Sequence, residues 1–479
     1  MPRKTAVALA ALVFAAILLH SAFQHLIYVD EFWYMEAAKN LILHGRAAGF
    51  SKAIGWPGLI APVFAVFGFD NFAAIALSLL FSALSIPLIF FLARRLLRDD
   101  WAAMLACVLW ALLPQRVVWA SSAETISASV FFILLGLVLS LRSAENQPDR
   151  PLLWLAMLCW GMASQVRPEN FMFVLAFAAA MHMFSGVSFR SWRAGFLKAC
   201  GAAALLNLAD WLIFARFQSS TDWLARESSG VLGGGNFSLQ NLWHNTFHWG
   251  PQLLGWAMHP AFLSLAAAAG LWLLWRRSRA EAIFALLCCA LLYLFYFSSW
   301  LASYGSTLAA FPKTKLFLLF YPFICSLAAY AVSSARVWNA EPSFKLWRIA
   351  LALFLCASFV PYYRKYPLNS QRHVHETLLL RGLKDLVPQN CVVVANSAIV
   401  VNSVNFFTVV EADVFIRDAE VRKAVLGGGC AVFVEDITCS FGFEGLAGNC
   451  AAMKRYESPD GRVSLGLSDD SFNIYRLRP

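Results

Sequence analysis

Apolar runs long enough to cross a bilayer recur along this chain, and they constrain its fold more than any other feature. A transmembrane helix needs about 20 mostly apolar residues, and the sequence contains roughly eleven candidate runs. They lie near 5–27, 72–93, 101–115, 124–141, 152–165, 170–186, 195–215, 252–274, 282–300, 316–333 and 346–361. The chain is 60% hydrophobic and 14% charged, whereas soluble domains carry about 25% charged residues. This composition excludes a soluble enzyme, a disordered chain and a nucleic-acid-binding protein.

The first apolar run predicts a retained transmembrane helix. Arg3 and Lys4 precede it, as in a signal peptide, but the run is too long and no small-residue cleavage pattern leads into Asp30.

Basic residues divide unevenly between alternate loops, and this predicts the orientation. Sixteen fall in one set of loops, and nine fall in the other set, although the latter loops are longer. The basic-rich set contains Arg3, Lys4, Arg94, Arg95, Arg98, Arg142, Arg150, Arg190, Arg193, Lys198, Arg276, Arg277, Arg279, Arg336, Lys345 and Arg348. Because basic loops stay inside, this set is predicted to be cytoplasmic. The formal charge of +10 is thus largely a cytoplasmic anchor.

The sequence changes character after the last span. We predict a transmembrane module over 1–361 and a small soluble α/β domain over 362–479 on the outer face. Short β-type runs at 391–395, 406–410, 430–434 and 472–477 accompany a helix near 374–386. Cys391, Cys430, Cys439 and Cys450 also lie there. On an oxidising face they form one or two disulfides in any of three pairings, or remain buried thiols.

Two adjacent carboxylates, Asp30 and Glu31, directly follow the first span in the first outer loop. A carboxylate near a low-dielectric boundary is suited to deprotonating an acceptor hydroxyl. The alternative is that Asp30 caps a helix from Glu31 to about Leu43 that lies in the membrane interface.

Other polar residues collect on the same predicted face. Ionisable groups at membrane depth are costly, and by default they indicate a paired site or pathway. The candidates for substrate or phosphate binding are Arg116, Glu124, Arg167, Glu169, Lys313, Lys315, His244 and His248. Simpler interpretations remain open: Arg167 and Glu169 pair to cap a turn, and the lysines snorkel from a helix end.

The sequence predicts no metal centre. His244 and His248 are four residues apart in the long outer segment 216–251, but no third ligand lies nearby. The glycine run of that segment, Gly230-Val-Leu-Gly-Gly-Gly235, lacks the lysine of a phosphate-binding P-loop.

These motifs resemble those of the GT-C glycosyltransferases, polytopic enzymes that use lipid-linked sugars, with the mannosyltransferases of GPI-anchor and N-glycan assembly the nearest likeness. Asp30-Glu31 and Gly55-Trp-Pro-Gly58 stand where that family has its first-loop acidic pair and a Pro-containing stretch. Ser121-Ser-Ala-Glu124 and Val166-Arg-Pro168 resemble two later motifs, and Lys313 and Phe317 match part of a run before a late span.

The resemblance implies inverting transfer of a sugar from a polyprenyl-phosphate donor to a hydroxyl of a lipid-linked glycan, glycolipid or protein. Asp30 would be the general base, and Glu31 would orient the acceptor. Lys313, Lys315 and Arg167 would stabilise the leaving phosphate. The resemblance implies no cofactor beyond the donor itself, with room for a loosely bound divalent cation. The outer α/β domain would cover the cavity.

Three alternatives remain open. The protein-O-mannosyl and aminoarabinose transferases share the fold and the acidic pair. A transporter of lipid-linked glycans would show internal repeats and ionisable groups near the bilayer midplane, and neither is evident here. An O-antigen ligase would use a large late outer loop, such as 216–251. Under each enzyme hypothesis, the protein is in the bacterial inner membrane or the ER membrane, with its site on the periplasmic or luminal side. No nucleic-acid partner is predicted.

Overall fold

The computed structural model describes residues 3–21, 29–45, 47, 53–145, 150–185, 192–205, 239–254, 259–298, 314–334, 343–365, 380–436, 439, 444–463 and 474–478. Up to residue 365 the described chain is helical. The helices are α1 (Arg3–Ser21), α2 (Val29–His44), α3 (Gly55–Phe67), α4 (Asn71–Leu97), α5 (Asp100–Ala111), α6 (Pro114–Ala120), α7 (Ile126–Glu145), α8 (Arg150–Val166), α9 (Val174–Phe184), α10 (192–205), α11 (Leu239–Leu254), α12 (Ala261–Arg277), α13 (Arg279–Ser298), α14 (Tyr321–Ser334), α15 (Ser343–Ala357) and α16 (Val360–Lys365). Short 3₁₀ helices at Pro168–Phe173 and Thr314–Phe320 precede α9 and α14.

Four helices of the described chain are long and apolar enough to cross a membrane: Asn71–Leu97, Ile126–Glu145, Phe317–Ser334 and Leu346–Tyr363. The pair α5 and α6 makes a fifth if it is one span, bent by 58°. Helix is present at each of the eleven predicted spans, but the number of spans stays a prediction. Two predicted runs differ in detail. The run 101–115 breaks before Pro114, and the run 252–274 includes the end of α11 and most of α12, which begins after Pro260.

Local sequence explains several helix ends. The carboxylates of Asp70 and Asp99 accept hydrogen bonds from the first free backbone N–H groups of α4 and α5, which is the ordinary role of an N-cap aspartate. α4 ends at Arg98, whose φ of 52° lies in the left-handed region. Such a φ is uncommon for any residue but glycine, so the α4–α5 corner is a constrained turn.

Helices α4, α5, α7, α12 and α14 enclose the largest apolar core. α12 and α14 approach so closely that a Cβ on Gly270 would lie 1.8 Å from the carbonyl oxygen of Leu327. Only glycine fits at that crossing.

The tail forms a five-stranded sheet with the order β2-β1-β3-β5-β4. The strands are β1 (Val392–Ala395), β2 (Thr408–Glu411), β3 (Ala431–Val434), β4 (Glu457–Val463) and β5 (Ile474–Leu477). β1 pairs in parallel with β2 and β3, while β5 is antiparallel to β3 and β4. Four of the five strands fall on predicted runs, and β4 was not predicted. Helices 380–386, Ala398–Asn402, Ala412–Arg417, Ala419–Gly427 and Glu444–Met453 complete this region.

Two disulfides cross-link the tail, Cys391 to Cys430 and Cys439 to Cys450. This is one of the three pairings left open by the sequence. Cys391 and Cys430 directly precede the neighbouring strands β1 and β3, so their bond joins the start of both strands.

The tail packs directly on α2, the helix that carries the acidic pair. The ammonium of Lys39 is buried and donates to the backbone carbonyls of Asn402 and Asn405, the latter at 2.9 Å. It also lies 4.8 Å from the centre of the Phe406 ring. α2 also packs on α3. The alternative interpretation, a helix lying in the membrane interface, stays a prediction, and protein covers most of α2.

Candidate active site

The two carboxylates at the start of α2 have different environments. Asp30 and Glu31 both lie in the first turn of the helix, which begins at Val29, so Asp30 is inside the helix and the predicted helix start at Glu31 was late by two residues. Asp30 is half-buried, whereas Glu31 is completely buried. A half-buried carboxylate remains accessible to a substrate, and a buried one needs hydrogen-bond donors.

Glu31 finds such a donor in the segment between α6 and α7. Its Oε2 accepts a hydrogen bond from the backbone N–H of Ala123 at 2.7 Å. The backbone carbonyl of Ala123 accepts a hydrogen bond from the indole N–H of Trp56 at 2.8 Å. Glu31 therefore ties α2 to the backbone directly before Glu124, and Trp56 ties α3 to the same point.

Glu124 follows immediately and is also completely buried. Its Oε2 accepts from the backbone N–H of Thr125 at 3.2 Å. The hydroxyl of Thr125 in turn accepts from the guanidinium of Arg167 at 3.4 Å. This contact connects the α6–α7 segment to the turn after α8.

Arg167 and Glu169 form an ion pair in that turn, as the sequence allowed. The Nε of Arg167 lies 2.7 Å from Oε1 of Glu169, and Nη2 contacts the same oxygen. Asn170 holds the turn in place: its amide donates to Ser129 Oγ of α7 at 2.6 Å and to the carbonyl of Ala163 at 2.9 Å. Both charged residues are mostly buried, so they pair in a low-dielectric environment, where the attraction is stronger than at a free surface.

Gly55 allows α3 to approach this turn. A Cβ at position 55 would lie 2.5 Å from the backbone carbonyl carbon of Gln165 and 2.7 Å from the nitrogen of Val166. Any side chain there would push α3 away from the end of α8. The Gly55-Trp56 pair thus serves two contacts, one to Gln165 and one to Ala123.

Tyr34 interacts electrostatically with these groups, and sequence reasoning missed it. It is one helical turn after Asp30 and is buried, and its hydroxyl feels the charges of Glu124, Asp30, Arg167 and Glu169. Burial above all, and then the negative charges of Glu124 and Asp30, raise the pKa of Tyr34 well above its usual value. The phenol is therefore a neutral hydroxyl at physiological pH. The only sequence signal was its i+4 spacing from Asp30.

Arg116 is placed inside the helix packing. Its guanidinium is buried, donates to the carbonyls of Ser82 at 2.8 Å and Ala111 at 3.2 Å, and lies 5.4 Å from the Trp110 ring centre. These contacts join α6 to α4 and α5. A phosphate-binding role for Arg116 stays a prediction, and the contacts described here are those of a buried helix anchor.

The remaining predicted residues are not brought into the group by the described structure. His244 is exposed on α11. Lys313 and the side chains of His248 and Lys315 lie outside the described residues. Among the residues that are described, no group of three or more His, Cys, Asp or Glu side chains could hold a metal ion. The expectation that the protein needs no metal stays a prediction.

Five predicted residues are therefore linked: Glu31, next to Asp30, bonds to the backbone directly before Glu124, and Thr125 connects Glu124 to the Arg167–Glu169 pair. The group contains four carboxylates and one guanidinium, so it carries a formal excess of negative charge. Such a site is suited to accepting a proton and to hydrogen-bonding a polyhydroxylated ligand. Among these five residues, the one cation is already paired, so an anionic leaving group needs further cations from elsewhere.

Comparison with known proteins agrees with this architecture. Residues 51–214 match the family model described as dolichyl-phosphate-mannose-protein mannosyltransferase. The matched part contains Gly55, Glu124, Arg167 and Glu169, and it begins after the acidic pair. No curated protein sequence matches the chain.

Solved structures show the fold. ArnT from Cupriavidus metallidurans bound to undecaprenyl phosphate aligns with a TM-score of 0.66 at 12% identity, covering 99% of this chain and 98% of that one. Its apo form aligns with a TM-score of 0.62. The oligosaccharyltransferase AglB from Archaeoglobus fulgidus, in complex with an inhibitory peptide and a dolichol-phosphate, aligns with a TM-score of 0.50 at 14% identity, covering 98% of this chain and 74% of that one. The chain thus has the GT-C fold, and the resemblance inferred from its motifs is confirmed.

Proposed function

We propose that this GT-C chain is a membrane glycosyltransferase that moves a sugar from a polyprenyl-phosphate carrier to an acceptor hydroxyl, with Asp30 as general base. The observation that carries the proposal is the series of contacts that connects the first-loop acidic pair to Glu124 and Arg167. The carrier class is supported by ArnT and AglB, whose solved structures hold undecaprenyl phosphate and dolichol-phosphate.

The two carboxylates of the pair take different roles in this proposal. Asp30 is half-buried and accessible, so its carboxylate takes the proton of the acceptor hydroxyl. Glu31 is buried and bonded to the Ala123 backbone, so it positions α2 against the α6–α7 segment. The family resemblance implied that Glu31 orients the acceptor. We assign it a positioning role instead, because its described hydrogen bond is to the protein backbone.

The reaction is a single inverting displacement. The acceptor oxygen attacks the anomeric carbon from the face opposite the carrier, its proton goes to Asp30, and the bond from the anomeric carbon to the phosphate oxygen breaks. The carrier leaves as a phosphate monoester and needs nearby positive charge rather than an acid. Lys313 and Lys315 remain the proposed cations, with Arg167 partly committed to Glu169.

The family description favours mannose as the sugar and a protein hydroxyl as the acceptor. This is the protein-O-mannosyl alternative, and it is the first donor and acceptor pair to test. Purified protein in vesicles would be assayed with polyprenyl-phosphate mannose, glucose and aminoarabinose, each with a Ser/Thr peptide or a lipid-linked glycan. Transfer of mannose to the peptide alone would support this branch, and transfer of another sugar or to the glycan alone would contradict it.

The base assignment has a direct test. Asp30→Asn keeps the shape of the side chain but removes the basic oxygen, so we expect transfer to fall by at least about 10³-fold. Asp385→Asn makes the same change on an exposed residue of the tail and is expected to leave the rate unchanged. Both variants are checked for expression and membrane insertion. Normal turnover by Asp30→Asn would contradict the assignment of the base.

A further inference from the structure

A polar cavity lies at the opposite end of the spans from Asp30. It has a volume of about 750 Å³ and opens where α4 and α7 end. Its walls come from Phe91, Arg94, Arg95, Arg98, Asp100, Val138, Leu141, Arg142 and Glu145. All four arginines belong to the basic-rich loops, so the cavity is on the face predicted to be cytoplasmic.

The lining is divided between charge and hydrocarbon. Four guanidinium groups and two carboxylates give the lining residues a formal charge of +2. Phe91 of α4 is half-buried and offers an apolar surface, whereas Val138 and Leu141 of α7 are buried in the apolar core. A ligand that fits both parts has an anionic group and an apolar portion.

Three of the four arginines are already paired with acidic residues. Arg94 Nε lies 2.7 Å from Asp100, Arg95 contacts Glu145, and Arg98 lies 3.0 Å from the buried Glu281 of α13.

Arg142 differs from the other three. Its guanidinium lies over the Phe91 ring, 5.0 Å from the ring centre, and the described residues offer it no ion pair. The stacking orients the planar group while leaving its N–H donors for a ligand. Guanidinium groups bind phosphate oxygens through two parallel hydrogen bonds.

We propose that this cavity binds an anionic phospholipid, with its phosphate between Arg142 and the paired arginines and its acyl chains beside Phe91. Basic pockets between spanning helices on the cytoplasmic side suit anionic head groups. The cavity, at about 750 Å³, is too large for a lone ion. The lipid is thus a resident ligand, separate from the donor at the acidic site.

The test is native mass spectrometry of the full chain with phosphatidylglycerol or phosphatidylcholine of the same acyl chains. We expect phosphatidylglycerol to bind preferentially, and Arg142→Gln to reduce its binding about tenfold. Arg276→Gln is the matched control. It removes one positive charge from an exposed arginine on the same face, which stacks on Trp272, and it should leave binding unchanged.

Several outcomes would overturn the proposal. Equal binding of the two lipids, or equal losses in both variants, would mean that the cavity adds nothing to general surface charge. Arg142→Lys separates bidentate binding from charge alone: recovery of less than half of the lost affinity is expected, and full recovery would contradict the phosphate geometry. If inorganic phosphate displaces the lipid at low millimolar concentration, the site is a free-anion site and the lipid assignment is wrong.

Discussion

At the scale of single residues, the sequence located most of the candidate site but could not rank its members. Asp30, Glu31, Glu124, Arg167 and Glu169 were visible because charged residues at membrane depth are conspicuous. Packing between α2 and the α6–α7 segment decides which carboxylate is buried and bonded to a backbone N–H, and which one stays accessible. Arg116 illustrates the same limit, since a basic residue that binds helix carbonyls has the same sequence signal as one that lines a cavity.

Tyr34 was invisible for another reason. A tyrosine in an apolar helix gives no charge signal, and its placement among carboxylates appears only once α2, α7 and the α8 turn are assembled.

The raised pKa of Tyr34 leads to a prediction about stability. In the folded state the phenol stays neutral well above pH 10, whereas in the unfolded chain it ionises near its usual value of about 10. The contribution of the neutral phenol to the free energy of unfolding is complete below that pH and is lost as the pH rises above it.

We therefore expect the melting temperature to fall between pH 9 and pH 11, and to fall less steeply in Tyr34→Phe. Thermal unfolding in detergent across this range would measure the difference. Tyr456→Phe removes a hydroxyl from the tail and should leave the slope unchanged. Identical slopes for Tyr34→Phe and the wild type would show that Tyr34 is not held neutral by burial.

At the scale of elements, hydropathy found a helix at every predicted span but did not find the breaks. A window of about 20 residues averages over a single proline. The breaks before Pro114 and at Pro260 follow instead from proline's missing N–H and from the restriction it places on the preceding residue. The close approach of α3 to α8 was also beyond the sequence, because Gly55 and Gly58 look alike there.

Gly55 and Gly58 make a matched pair for testing that approach. Gly55→Ala would place a Cβ 2.5 Å from the Gln165 backbone, whereas Gly58 has no atom within 4 Å of such a Cβ. We expect Gly55→Ala to lower stability by about 1–3 kcal/mol and to slow sugar transfer at least about tenfold, because the Arg167 turn must shift. Gly58→Ala should leave transfer unchanged. Equal effects of the two substitutions would mean that α3 does not set the position of the turn.

The contact between α2 and the tail includes one buried ammonium, that of Lys39, beside a shared apolar cluster. Lys39→Met keeps the length and apolar stem of the side chain but leaves the carbonyls of Asn402 and Asn405 without their donor. We expect a cost of about 1–3 kcal/mol and faster backbone hydrogen exchange at Ala398–Asn402. Lys384→Met, at an exposed position of the tail, should not change exchange there. Unchanged exchange in Lys39→Met would show that the apolar contacts alone hold the tail on α2.

At the scale of the whole molecule, sidedness connects the acidic site, the tail and the arginine cavity. The predicted orientation places the tail outside, where disulfides are stable. The four cysteines that form disulfides lie in the tail, while the other seven, in the helical part, are free. The positive-inside argument rests on the loops, whereas the disulfide argument rests on the cysteines of the tail. The two arguments are therefore independent, and both assign the tail to the outer side.

This agreement gives a prediction for the native protein. Thiols alkylated under denaturing, non-reducing conditions should number seven of the eleven cysteines, and reduction should release Cys391, Cys430, Cys439 and Cys450. Peptide mass spectrometry would identify the pairs. Replacing Cys391 and Cys430 together by serine should cost about 2–4 kcal/mol, whereas Cys356→Ser, outside the tail, should leave the pairing intact. A reporter fused after residue 479 should be active on the outer side. Full alkylation without reduction, together with a cytoplasmic reporter signal, would contradict the predicted orientation. The Asp30 site would then lie on the cytoplasmic side, where sugar nucleotides rather than lipid-linked sugars are the available donors.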